Sequence, residues 1–125
     1  MNQCNDVNVA GQKFPQNGED LDTRIARLLG LRAEVQDEIM KVWPWDVAPD
    51  ESNWSVGTRY TKEPAKTAEL LAERGIQHFI RNKGPVVFCV FGAGGWLDET
   101  PLFENEDDAL AAALWMVLVN KSRMT

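Results

Sequence analysis

Apolar residues first fall into a regular period after residue 20. Leu21, Ile25, Leu28 and Leu29 recur at the spacing of one helical face, with Asp20 placed to cap the start and Gly30 to end it in a left-handed conformation. A second helix is predicted from Arg32 to about Val42, carrying Val35, Ile39, Val42 and Trp43 on one side and stopped by Pro44. Residues 44–60 are irregular, punctuated by Pro44, Pro49 and Gly57. A loop of that length in a small domain is uncommon unless it packs down or has a role. A further helix is expected between a Thr61 cap and Arg74, with Pro64 in its first turn, small residues Ala65, Ala68 and Ala72 beside Leu71, and Gly75 as its stop.

Two runs, Ile76–Arg81 and Val86–Phe91, are rich in β-branched and aromatic residues. Asn82-Lys83-Gly84 between them has hairpin chemistry, with Gly84 at the left-handed position. The second run is apolar at every position rather than every other one, so both of its faces are expected to be covered, with helices on both sides. A third strand is expected either from the segment after Gly92 or from Trp54–Tyr60. The clearest element is the last: Asn105 as cap, then Glu106, Asp107 and Asp108 where the helix dipole favours negative charge, with Lys121 and Arg123 near the far end. Between them Ala109–Val119 is apolar nearly all round, which predicts burial either by the rest of the fold or by a second copy in a homodimer.

These elements define an α+β fold: a three-layer helix/sheet/helix sandwich around a small antiparallel sheet with a central β-hairpin. Residues 1–18, rich in Asn, Gln and Gly, read as a flexible N-terminal tail with at most a short docked piece, and residues 19–125 as one domain. The 125 residues are 44% hydrophobic and 26% charged, a composition able to form one packed core. A formal charge of −6 argues against duplex DNA or an anionic membrane as partner. The longest apolar run is too short to span a bilayer, no secretory leader is visible, and the two cysteines, Cys4 and Cys89, are too few for a disulfide scaffold. A cytoplasmic location is expected.

Little in the chain points to catalysis. His78 is the only histidine, which removes two-histidine metal sites and paired imidazole acid and base. A His78–Cys89 pair on adjacent strands would make an activated thiolate, but a cysteine in an all-apolar strand is far more often a small buried hydrophobe. Gly92-Ala93-Gly94-Gly95 follows a strand yet lacks the Lys-Ser/Thr of a phosphate loop and the last glycine of the dinucleotide pattern, so it reads as a turn or bulge before it reads as a ligand contact. No cofactor is expected.

Two surfaces remain as binding candidates. Asp98, Glu99, Glu104, Glu106, Asp107 and Asp108 form an acidic stretch without an intervening base, which serves as helix-capping charge or as a docking patch for a basic partner. Its order does not match a calcium loop. Trp43, Trp45 and Trp54 either roof the core or present an aromatic anchor.

Three segments, Leu21-Asp22-Thr23-Arg24-Ile25-Ala26, Tyr60-Thr61-Lys62-Glu63-Pro64-Ala65 running into Glu69-Leu70-Leu71, and Asp107-Asp108-Ala109-Leu110-Ala111-Ala112-Ala113-Leu114, together resemble the phage ABA-sandwich family of small bacteriophage and prophage proteins. The likeness spans roughly residues 20–121, and the Arg32–Trp43 segment is longer than the family pattern. The resemblance implies a three-layer fold and a phage or prophage origin, and it brings no catalytic residues. The expected role is thus a non-catalytic accessory protein that binds a host protein with a basic surface, inhibition of a host process or defence system being one form of this. The alternative is a protein that holds a nucleotide-like small molecule on the glycine-rich segment.

Overall fold

The computed structural model describes residues 8–9, 12–15 and 17–124; side chains are described for residues 14–15 and 17–120. The elements in order are β1 (Asn8–Val9), β2 (Gln12–Lys13), α1 (Gly18–Leu28), β3 (Leu31–Gln36), β4 (Ile39–Pro44), β5 (Ser55–Val56), α2 (Pro64–Glu73), β6 (Gln77–Lys83), β7 (Val86–Ala93), β8 (Trp96–Glu99) and α3 (Glu106–Met124). The fold is α+β. Its strands form a β1–β2 pair and two separate antiparallel sheets, ordered β3-β4-β5 and β6-β7-β8.

The division into two sheets traces to one correction. Residues 32–42 are a hairpin rather than a helix: β3 and β4 pair from Leu31↔Pro44 to Gln36↔Ile39. The expected helical stripe divides between the two faces of this hairpin: Val35 and Val42 face α1 together with Ala33 and Met40, whereas Ile39 and Trp43 fall on the other face. The link is a two-residue turn in which Asp37 and Glu38 both take positive φ, 52° and 66°. Its sequence lacks the Asn-Gly that announces such turns. Both regions considered for a third strand are used: β5 pairs with β4, and β8 pairs with β7 across the Gly94-Gly95 turn. Gly57 follows β5 so closely on β4 that an added Cβ would lie 2.6 Å from Val42 Cγ1.

Helix boundaries moved where side chains found better partners. α1 begins earlier than expected, capped by Asn17, whose Oδ1 accepts from the Asp20 amide (2.9 Å). α2 has Pro64 in its first turn as expected, but it begins at that residue, later than a Thr61 cap implies, with Glu63 at the cap position. α3 is capped as its sequence predicts, with the Asp108 amide donating to Asn105 Oδ1 at 2.8 Å. The Lys121 and Arg123 side chains and Cys4 lie outside the described residues, as does most of the expected tail. The described part of that tail includes Phe14, which is fully buried with its ring edge-on to Trp115 at 4.9 Å.

The main core is built around α3, which packs on α1, α2 and β7; Ala109 and residues 111–115 are completely buried. The chain itself therefore covers the helix that was a candidate for dimer contact. β7 turns Cys89 and Phe91 into this core, while Phe88 and Val90 on the opposite face are only half-buried. Among the described residues, the apolar second face of β7 is not fully roofed.

Candidate functional site

The acidic stretch does not act as one patch. Asp98 and Glu99 are exposed on β8, and Glu104 and Glu106 are exposed at the approach to α3. Asp107 and Asp108 instead turn toward a hollow of about 890 Å³ where the N-terminal ends of α1 and α3 meet the β3–β4 turn and residues 59–62. Asn17, Gly18, Glu19, Glu38, Arg59, Thr61, Lys62 and Asn105 complete its lining. Four of the six predicted acids thus lie outside the hollow, and Glu19 and Glu38, remote in sequence, join it.

Beneath it lies an ion pair. The fully buried carboxylate of Asp22 on α1 accepts from Arg59 Nε at 2.6 Å, from the Thr61 amide at 2.8 Å and from Thr61 Oγ1 at 2.9 Å. Arg59 Nη1 also donates to the Glu38 carbonyl at 3.1 Å, tying the left-handed turn to α1. A buried carboxylate is tolerated only when paired and hydrogen-bonded, and three donors accomplish that here. Thr61, read as a helix cap, is spent on Asp22. No local sequence signal marks the Asp22–Arg59 pair, since its members stand 37 residues apart.

With Arg59 matched by Asp22, the remaining lining charges are Glu19, Glu38, Asp107 and Asp108 against Lys62. Asp108 feels this place chiefly as burial. Partial burial pushes its pKa above the ordinary aspartate value, and the Asp22 and Asp107 charges push the same way. The hydrogen bond with Asn105 and the Lys62 charge oppose them. A cation delivered to this hollow would relieve the repulsion. Among the described residues, no group of three or more His, Cys, Asp or Glu is arranged to hold a metal ion.

The three tryptophans separate. Trp43 is buried in β4, and its Nε1 donates to Asn53 Oδ1 (2.8 Å) and to the Asp50 carbonyl (3.0 Å), which makes it a pillar for the loop. Trp54 is half-buried and receives Lys41 Nζ 4.9 Å from its ring. Trp45 alone of the three is well exposed, at 60%, with the Arg32 guanidinium 5.2 Å from its ring.

A second hollow, of about 1050 Å³, gathers Gly92–Leu97 with His78, Phe79 and the end of α2. Among the described residues its lining contains no lysine or arginine, so a phosphate there would find no cationic side chain among them. His78 and Cys89 do not form a pair in register: His78 stands opposite Phe91, and Cys89 opposite Ile80. Burial pushes the Cys89 thiol up to about 11, against a weaker opposing hydrogen bond with the Phe79 backbone, so the sulfur is protonated at neutral pH and is not an activated nucleophile.

Comparison with protein-family models, with characterised proteins and with solved structures found no match for this chain. Among the described residues, no helix is long and apolar enough to cross a membrane.

Proposed function

We propose that this is a non-catalytic binding protein that engages a basic surface of a partner protein through the acidic hollow at the head of α1 and α3. The observation that carries this reading is the convergence of Glu19, Glu38, Asp107 and Asp108 from three separate elements, with Lys62, among the described residues, as the one lining cation not matched by the buried Asp22. A lysine or arginine entering the hollow would meet carboxylates from three elements, on a floor fixed by the Asp22–Arg59–Thr61 network. The same acids repel phosphate backbones, so nucleic acid is not the proposed partner. A phage or prophage origin, with the partner a protein of the host cytoplasm and its inhibition as the outcome, belongs to this proposal and rests on the resemblance of the three segments quoted above.

A small-molecule reading stays second, favoured by the way the glycine-rich turn, Phe79, Trp96 and His78 surround one hollow. With no lysine or arginine among the described lining residues, the ligand shifts from a nucleotide to a flat uncharged ring.

In-cell crosslinking of the tagged protein in a bacterial host, followed by native mass spectrometry, separates these readings. The acidic-hollow reading expects a basic host protein whose affinity falls about tenfold or more between low and high salt and is lost in the Glu38→Lys/Asp107→Lys variant. A retained small molecule without a protein, or a protein whose capture is indifferent to both substitutions, overturns it.

A further inference from the structure

The second face of the β6–β7–β8 sheet carries a pattern that the proposed function does not use. Strand alternation places Phe79, Arg81 and Lys83 of β6, Val86, Phe88 and Val90 of β7, and Leu97 and Glu99 of β8 on the side away from α3. The register sets Phe79, Val90 and Glu99 in one row across the sheet and Arg81 beside Phe88 in the next. Phe79 is 46% exposed and Leu97 75%, and Phe88 and Val90 between them are half-buried.

Charge on this face is sorted by edge. The β6 side is basic, with Arg81 and Lys83, and the Arg81 guanidinium is held 5.1 Å from the Phe79 ring; the β8 side carries Glu99. We propose that this face docks a second copy of the chain about a two-fold axis running along β7. Such a rotation exchanges the two edges. It places Phe79 of each copy over Glu99 of the other, with Arg81 one row away from that carboxylate, and brings each Phe88 and Val90 against its own symmetry mate. Arg81 and Glu99 sit one row apart, about 7 Å along the strands, which a guanidinium side chain spans when sheets pack face to face about 10 Å apart. Two chains of net charge −6 repel in general, so association needs a contact that pairs opposite charges locally, and this one does so twice. The face shares no residue with the acidic hollow, so the two proposals stand or fall separately.

Sedimentation velocity on the full chain, from about 1 μM to about 0.5 mM, tests this. A dimer is expected. Leu97→Glu, at a position too exposed to disturb the core, should weaken it by about tenfold or more, as should Glu99→Arg, while the exchange Arg81→Glu/Glu99→Arg should restore most of the loss from Glu99→Arg. Circular dichroism confirms that each variant is folded. A wild-type monomer throughout the range, a dimer indifferent to Leu97→Glu, or an exchange variant no tighter than Glu99→Arg overturns the proposal.

Discussion

At the scale of single residues, Asp22 decides the most. It joins α1 to Arg59 and Thr61, and through Arg59 to the β3–β4 turn, so its loss leaves a buried guanidinium, an amide and a hydroxyl without their acceptor. Asp22→Ala should therefore lower unfolding free energy by about 3–5 kcal/mol in urea titration. The double variant Asp22→Leu/Arg59→Met removes the charge imbalance and leaves chiefly the Thr61 amide unpaired, at about 1–3 kcal/mol, so the two single losses should not add. A double loss equal to the sum would mean that the two side chains act independently. Asp108 gives the opposite sign. Its pKa is raised in the folded protein, so the fold prefers it protonated, and its contribution is fully present below the ordinary aspartate value and lost as pH rises through the raised one. Asp108→Asn keeps an oxygen for Asn105 and should raise the melting temperature at neutral pH, with the gain vanishing toward pH 3. A gain that persists in acid would remove the charge explanation.

The element that most changes the architecture is the β3–β4 hairpin, where two periods compete on the same residues. Val35, Ile39 and Val42 fit a helix by spacing alone, and deciding for the strand requires the positive φ of Asp37 and Glu38, residues that local sequence does not mark. The turn is held from outside, by Arg59 on the Glu38 carbonyl. Replacing Asp37-Glu38 with Asn-Gly supplies residues that take this turn without help, and should stabilise the protein by about 1 kcal/mol in chemical denaturation. Were the segment helical, glycine in its middle would cost about 1 kcal/mol instead, so the sign of the change discriminates. Elements whose signals are local were legible from sequence: the Asn105 cap, Pro64 at the start of α2, and Gly84 with φ of 65° in the β6–β7 turn. The acidic hollow was half legible. Asp107 and Asp108 announce themselves by position, whereas Glu19 and Glu38 reach the same place only through tertiary packing around Asp22.

On the scale of the whole molecule, one apolar helix, α3, is the common wall of the main core: α1 and α2 pack on it, β7 lies against it, and Phe14 reaches its Trp115, while the β3–β4 hairpin rests on α1. Such a core should fail as a unit, and its weak side is alkaline. Cys89 is completely buried between β7 and α3, and its thiol ionises at about 11 in the folded chain against 9.0 for the free group. Burial also raises the Tyr60 hydroxyl, first by desolvation and then through the Asp22 and Glu63 charges. Both groups are neutral below their ordinary values and become anionic more readily once unfolded. Their contribution is therefore intact below about pH 9 and declines as pH rises toward 11, by an amount for Cys89 on the order of 2–3 kcal/mol. Unfolding free energy measured in urea across pH 8–11 should show this decline. Cys89→Ala, whatever its own cavity costs, should flatten the curve over the same window, leaving the smaller slope due to Tyr60. If the alanine variant lost stability with pH as steeply as the parent, the sulfur would have to be reaching solvent in the native state, and β7 would be opening away from α3 without the rest of the molecule.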